Sequence, residues 1–240
     1  MRHTVGALAA ALLVAGAAAV AAAGRAVAAP LTLTPCELEH PLRLATVAAD
    51  CGVLLVPENP GEPAGRSIAL RVARVPAISR RKRPDPLFVL AGGPGQAAGD
   101  FYAAVSGAFA RIHRDYDIVL VDQRGTGHSN RLDCAQDEDL LNRASAAQIT
   151  SSTRACLAAL ESRTDVAWYT SSLAVQDLER VRAALGYERI NLYGSSYGTR
   201  VAQHYLRRFP ARTRSLILDG VIPPERSLGD RLALDAEQAL

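Results

Sequence analysis

The sequence has few aromatic residues and no excess charge that would identify a partner. Aromatic side chains make up 5% of the 240 residues, and 27 Lys and Arg nearly balance 24 Asp and Glu. The net charge of +3 falls to +1 without Arg2 and Arg25, since the N-terminal stretch has no acidic residue. The composition therefore predicts no nucleic-acid partner. The basic run at residues 80–83 is interpreted as a solvated loop.

Repeats and low-complexity tracts are also absent after the N-terminal stretch. With 49% hydrophobic residues, the chain has enough apolar surface for a folded core. This composition predicts an ordinary globular domain and excludes a collagen, a coiled coil or a disordered chain.

Residues 1–29 resemble a secretory signal peptide. Arg2 supplies the positive start, residues 5–23 are an apolar run, and residues 27–29 (VAA) form a small-residue cleavage site. An uncleaved anchor is the alternative, because the stretch is long enough to span a bilayer. Ala and Gly give it weak membrane affinity, so we favour cleavage. No later segment has the length of a membrane span, and we expect a periplasmic or extracellular protein with no stable membrane insertion.

Cysteine is scarce, with four residues in the chain. In an exported protein they predict two disulfides, and the local pairing Cys36–Cys51 with Cys134–Cys156 is the simplest of three. Four free thiols are the alternative if the protein is not exported. No Cys-x-x-Cys or nearby histidine completes a ligand set, so we expect no metal site.

Alternating strand and helix patterns predict a mixed, mostly parallel α/β sheet with helices on both faces, truncated after about the sixth strand. Its first strands form an antiparallel pair. The third predicted helix begins after Ser172 as N-cap and stops at Gly186. The apolar, β-branched runs that predict strands are residues 52–56, 68–75, 87–90, 118–121, 190–193 and 216–218. The helical patterns are residues 100–113, 147–161, 173–185 and 197–209.

The strongest chemical signal is a G-x-S-x-G motif at residues 194–198 (GSSYG), between a predicted strand and a predicted helix. A serine on such a sharp turn presents its hydroxyl clear of the sheet at a helix N-terminus. We therefore expect Ser196 to be a nucleophile. The side chain of Ser195 is expected to pack beside the turn.

A second motif, residues 92–95 (GGPG), follows another predicted strand. Serine attack on a carbonyl builds an oxyanion, which needs preorganised N–H donors. Pro94 has no N–H, so Gly93 is the expected donor on this side, with the amide of Tyr197 completing the oxyanion hole.

A third motif, residues 122–129 (DQRGTGHS), has the glycines of a tight turn. Asp122 and Arg124 are expected to pair and brace the oxyanion loop. A dinucleotide fingerprint does not fit, because Asn130 stands at its third glycine position. We expect no cofactor.

Together the three motifs resemble the α/β-hydrolase fold, specifically the prolyl-aminopeptidase and tripeptidyl-aminopeptidase branch of serine hydrolases. The resemblance extends from Cys51 to Asp219-Gly220-Val221. It implies cleavage of short peptides at their N-terminus, often at proline, through an acyl-enzyme. It also implies that the triad acid and histidine follow later strands, beyond a helical cap.

A general base is not evident in the sequence. No histidine follows His204, which lies about 12 Å along a helix from Ser196 at 1.5 Å per residue. His128 is the alternative base, although its loop precedes the nucleophile. Asp219 is expected to be structural at the cap entrance, and Trp168 and Tyr169 to pack in the core or at its rim.

These observations predict three regions and a chain that is inactive alone. The regions are a signal peptide (1–29), the N-terminal part of a hydrolase domain (30–222) and the start of a cap (223–240), whose acidic residues are Glu225, Asp230 and Glu237. A complementing C-terminal segment would supply the missing triad members. The alternatives are a carboxylesterase or lipase that uses the same serine and a non-catalytic hydrolase-like binding module.

Overall fold

The computed structural model describes residues 31–134 and 144–225. The predicted signal peptide, Asp230, Glu237 and most of the predicted cap region lie outside the described residues.

Seven strands form one mixed sheet in the order β1-β2-β3-β5-β4-β6-β7. Strands β1 to β3 are antiparallel, β3 pairs antiparallel with β5, and the pairs β5–β4, β4–β6 and β6–β7 are parallel. The mixed α/β arrangement and the six predicted strands are confirmed, with three parallel and three antiparallel pairs among the described strands, and β1 is an additional strand. The bounds are Thr34–Glu39 (β1), Thr46–Pro57 (β2), Ser67–Val75 (β3), Leu87–Leu90 (β4), Ile118–Val121 (β5), Ile190–Ser195 (β6) and Thr213–Asp219 (β7).

The described helices match the four predicted patterns with two differences. The first pattern is split by a 3-10 turn, Ser106–Phe109, into two short helices. Thr170 rather than Ser172 is the N-cap of the third predicted helix, because its side chain accepts a hydrogen bond from the Leu173 N–H. Gly186 follows this helix with a φ of 77°, as its predicted role requires. The helices are Ala98–Val105 (α1), Ala110–His113 (α2), Ala146–Glu161 (α3), Ser171–Ala184 (α4) and Tyr197–Arg208 (α5).

Strands β4 and β5 are buried on both faces of the sheet. Phe88 and Leu90 pack with residues of α4 and α5 on one face, whereas Leu87 and Val89 pack with α1 on the other. This two-sided burial explains why their sequences are continuous apolar runs instead of alternating ones. The parallel pairing of β5, β4, β6 and β7 places their carboxyl ends at one edge of the sheet.

Both predicted disulfides are present. Cys36–Cys51 joins β1 to β2, and Cys134–Cys156 joins the chain after β5 to α3. Among the described residues, no helix is both long and apolar enough to cross a bilayer.

Asp117 anchors the loop that contains the basic run to the sheet. Its carboxylate accepts hydrogen bonds from the Ala77 N–H (2.9 Å), Lys82 (2.6 Å) and the Tyr187 hydroxyl (2.8 Å). Burial alone would raise the pKa of Asp117, but these donors and the charge of Lys82 hold the pKa below its ordinary value. Lys82 therefore has a structural partner, which agrees with the interpretation of this run as a loop.

Arg124 connects four parts of the fold from a buried position. Its guanidinium donates two hydrogen bonds to Asp177 on α4, at 2.6 and 2.9 Å, and the two side chains are only 1% and 2% exposed. It also donates to the carbonyl oxygens of Glu58 and Trp168. The expected pairing of Arg124 with Asp122 is wrong, because Asp122 accepts hydrogen bonds from backbone N–H groups instead.

Replacing Arg124 with Met should lower the free energy of unfolding by about 3–5 kcal/mol, because Asp177 would keep a buried charge without its main partner. Urea denaturation measures this loss. The matched control is Arg114→Met, whose pair with Asp115 is exposed (71% and 39%) and is expected to contribute about 0–1 kcal/mol. Similar losses in the two variants would contradict the assigned role of Arg124.

Candidate active site

Ser196 occupies the sharp turn between β6 and α5. Its φ of 52° and ψ of −119° lie outside the usual regions for a residue with a side chain. Ser196 is exposed, whereas Ser195 is half-buried in the last position of β6. This is the strand-turn-helix geometry that the G-x-S-x-G motif predicts.

The two glycines of the motif are required by direct backbone contact. A Cβ built on Gly198 would lie 2.3 Å from the carbonyl oxygen of Leu90, at the end of β4. A Cβ on Gly194 would lie 2.4 Å from the Gly198 carbonyl oxygen. The first turn of α5 therefore packs on strand backbone with no room for a side chain.

This contact brings the loop after β4 against Ser196. A Cβ built on Gly92 would lie 3.2 Å from Ser196 Cβ and 3.7 Å from Ser196 Oγ. Gly93, the expected donor, follows with a φ of 103° and a cis peptide bond to Pro94. The GGPG loop and the serine turn thus meet at one point, as the sequence predicts.

Three backbone N–H groups near this point have different roles. The Ser196 N–H donates to the Asp219 carbonyl oxygen at 2.8 Å, so it is already engaged. Within the described part of the chain, the N–H groups of Gly93 and Tyr197 have no hydrogen-bond partner. These two remain available to an oxygen atom placed beside Ser196.

Two buried side chains hold the loops that carry these groups. Asp122 accepts hydrogen bonds from the Ala98 N–H at 2.9 Å and the His128 N–H at 3.0 Å, and so fixes the start of α1 directly after the GGPG loop. Thr199 donates to the Ser196 carbonyl oxygen (2.7 Å) and accepts from the Ile222 N–H (2.9 Å). Thr199 directly follows the G-x-S-x-G motif, but its role depends on a contact with Ile222 that local spacing does not show.

Among the described residues, no histidine forms a hydrogen bond with Ser196. His113 contacts the Pro76 carbonyl oxygen, and His40 accepts from the Leu42 N–H. His128 lines a cavity between β1, β3 and α1. His204 lies two turns along α5, where burial and the charges of Arg208 and Arg207 lower its pKa.

Asp219 contributes to the structure of the turn through its backbone and its side chain. Its carboxylate accepts a hydrogen bond from the Tyr193 hydroxyl at 2.6 Å. Burial and this carboxylate raise the pKa of Tyr193 to about 12, so the phenol remains a donor at neutral pH. Glu225 lies 3.6 Å from Arg207 on the surface.

Asp177 is the principal residue that the sequence interpretation missed. It lies between Ala174 and Leu178 on the apolar face of α4, and a charge at such a position signals a buried partner. Tyr169, by contrast, packs as expected, because its hydroxyl joins the buried carboxylate of Glu58. In the described ranges, no group of three His, Cys, Asp or Glu residues could hold a metal ion.

Replacing Gly198 with Ala should destabilise the fold by about 1–3 kcal/mol, because the new Cβ would overlap the Leu90 carbonyl oxygen. The matched control is Gly107→Ala, where a Cβ would meet no atom within 4 Å. The control should keep or slightly raise the urea midpoint. A Gly198→Ala variant as stable as this control would contradict the close contact.

Comparison with known proteins gives several partial matches. The chain is 32% identical over 214 residues to serine protease Hip1 of Mycobacterium tuberculosis. This alignment covers 81% of the present chain and 40% of Hip1. It is 30% identical over 192 residues to the tripeptidyl aminopeptidase of Streptomyces lividans (73% of this chain, 36% of that protein). Carboxylesterase B of Mycobacterium tuberculosis is 34% identical over 193 residues (73% of this chain, 36% of that protein). The chain therefore spans about two fifths of the length of these relatives.

The family model of the alpha/beta hydrolase fold matches residues 85–237, which include the GGPG loop and the serine turn. This match covers more than half of the chain, and the seven-stranded sheet has the mixed topology expected from the motifs. The chain belongs to the α/β-hydrolase family.

Proposed function

We propose that this chain is the nucleophile-bearing part of an exported serine hydrolase that cleaves residues from the N-terminus of short peptides, often at proline. Ser196 is the nucleophile, and the N–H groups of Gly93 and Tyr197 form the oxyanion hole. The observation that carries the proposal is an exposed serine on a strained turn beside two N–H groups without described partners. Serine protease and aminopeptidase relatives support a peptide substrate.

The proposed reaction has two halves. Ser196 Oγ attacks the scissile carbonyl carbon, its proton passes to a base, and the carbonyl oxygen becomes an oxyanion held by the two N–H groups. The C–N bond then breaks as the base returns the proton to the leaving amine. Water subsequently hydrolyses the acyl-enzyme ester and regenerates the serine.

The base and its acid partner are proposed to lie beyond the described residues, on a complementing C-terminal segment. This is supported by the four described histidines, none of which forms a hydrogen bond with Ser196, while His40 and His113 have partners elsewhere. Residues 30–222 would then be the N-terminal part of the hydrolase domain, and residues 223–240 the start of the cap.

Export is supported by the two disulfides, because such bonds persist in oxidising compartments. The signal-like residues 1–29 agree with the same proposal. We therefore propose that the protein acts in the periplasm or outside the cell.

The first test is covalent labelling of the full gene product that carries these 240 residues with a fluorophosphonate. We expect labelling to disappear in Ser196→Ala, because the attacking oxygen is lost, while urea denaturation shows a folded protein. Ser195→Ala is the matched control and should keep most of the labelling. Labelling that persists in Ser196→Ala would exclude Ser196 as the nucleophile.

An esterase is the second candidate, because Carboxylesterase B is also a relative. The rates on a prolyl arylamide and on a short-chain aryl ester distinguish a peptidase from an esterase. The two rates can be compared because both substrates pass through an acyl-enzyme. The peptidase proposal predicts a higher kcat/KM for the arylamide. Activity on the ester alone would favour the esterase, and ligand binding without hydrolysis of either substrate would favour a binding module.

A further inference from the structure

Two exposed segments lie at the edge of the sheet opposite Ser196. Strand β3 ends at Val75, which pairs with Ile118 at the start of β5, so the loop after β3 begins at the amino ends of the parallel strands. The turn between β1 and β2 lies at the same edge, because β2 enters its pairing with β3 at Asp50, opposite Arg74. Ser196 follows the carboxyl end of the six-residue strand β6, about 20 Å away at 3.3 Å per residue.

The first segment is the basic loop, residues 78–83 (ISRRKR). Three of its backbone N–H groups donate to the carbonyl oxygens of residues 113–115, which lie before β5. Ile78, at the start of the loop, is 70% exposed. The loop therefore presents its side chains to solvent from a backbone that the fold holds in place.

The basic loop has positive charge that neighbouring carboxylates do not offset. Lys82 pairs with Asp117, whereas the three arginines of the loop pair with no carboxylate within the described ranges. The nearby carboxylate of Asp115 already pairs with Arg114 at 3.3 Å. The charges of the three arginines are thus available to an anionic partner. These exposed residues are Arg80, Arg81 and Arg83.

The second segment is the hairpin tip, residues 42–44 (LRL), between β1 and β2. Its two leucines are 73% and 74% exposed and flank Arg43. Pro76, two residues before the basic loop, lines one cavity together with Ala48 and Ala49 of this hairpin. The hairpin tip and the basic loop are therefore neighbours, and we call them together the docking surface.

The docking surface lies wholly within the described ranges. It borders β1, β2 and β3, and β1 is one edge strand of the sheet. The described chain ends near the other edge strand, β7, where Glu225 lies 3.6 Å from Arg207 on α5. The charge and exposure of the docking surface are therefore those of residues that the structure describes.

Arginines beside exposed leucines favour a lipid bilayer over a dissolved polyanion as the partner. Each Arg near an anionic bilayer contributes about fivefold to binding. Exposed Leu and Ile side chains gain free energy when they leave water for the boundary between headgroups and acyl chains. A dissolved polyanion would attract the arginines but would offer no apolar region to the leucines.

We infer that the docking surface binds the protein reversibly to an anionic lipid bilayer and leaves the serine turn facing the aqueous phase. The amino-end edge of the sheet contacts the headgroups, so dissolved substrates reach the opposite edge freely. The inference goes beyond the proposed peptidase function and holds for whichever bond Ser196 cleaves.

The test measures vesicle binding by sedimentation, using the full gene product without residues 1–29 so that the leader cannot contribute. We expect binding to phosphatidylcholine vesicles that contain about one third phosphatidylglycerol, and little binding to pure phosphatidylcholine. Replacing the three loop arginines with Gln should weaken binding to the anionic vesicles about 100-fold, since each contributes about fivefold.

The matched control replaces Arg131, Arg154 and Arg163 with Gln. These arginines are also exposed, and their loss changes the net charge equally, but they belong to the segment between β5 and α4. The control should keep most of the binding. Equal losses in the two triple variants would overturn the inference, because net charge and not this surface would then explain the binding.

The apolar contribution is tested by the double variant Leu42→Ser and Leu44→Ser. Loss of two side chains that enter the bilayer boundary should weaken binding about tenfold or more. The matched control is Val53→Ser with Leu55→Ser, since these residues are also exposed (52% and 70%) but lie on β2 outside the docking surface. This control should leave binding unchanged.

Two further outcomes would overturn the inference. One is a parent protein that does not bind the anionic vesicles. The other is equally tight binding to heparin with no effect of the leucine replacements, which would favour a dissolved polyanion as the partner.

The orientation has its own measurement. The vesicle-bound protein should still be labelled at Ser196 by the fluorophosphonate, and loss of labelling on binding would contradict the inferred orientation. The proposed function fails separately, if Ser196 is not labelled in the absence of vesicles.

Discussion

The candidate site depends on a backbone contact between the first turn of α5 and the end of β4. Gly198 leaves no side-chain atom between the helix and the Leu90 carbonyl oxygen, and Gly194 leaves none between β6 and the first turn of α5. The turn at Ser196 can adopt its unusual φ because the surrounding sheet and helix determine its position. The same contact sets the GGPG loop against the serine, so one packing constraint positions both halves of the site.

Other buried polar groups stabilise the loops and helices around this backbone contact. Arg124 joins the loop after β5 to α4 and to the carbonyl oxygens of Glu58 and Trp168. Asp122, two residues earlier, holds the start of α1. A single short motif therefore braces helices on opposite faces of the sheet, which explains why this loop contains charged residues that are almost completely buried.

The parts of the structure that local sequence determines were predictable. The buried parallel strands follow from their continuous apolar runs, and the serine turn follows from glycines at positions that exclude a side chain. Strand β1 was not predicted, because its sequence (TPCELE) has a proline and two glutamates and little β-branched character. Thr170 and Ser172 are both suitable caps, and local sequence cannot choose between them. The partner of Arg124 was not predictable from its own motif, because Asp177 is 53 residues away and their pairing is set by tertiary packing.

The strand order has a consequence for the biosynthesis of the protein. Strand β4 pairs with β6, which lies far along the chain, and the Ser196 N–H bonds to Asp219, which is later still. Such distant pairings require closure of long loops and form slowly. A ribosome must therefore release the chain past Asp219 before the serine turn can be completed. Until that point the nascent polypeptide has no assembled nucleophile.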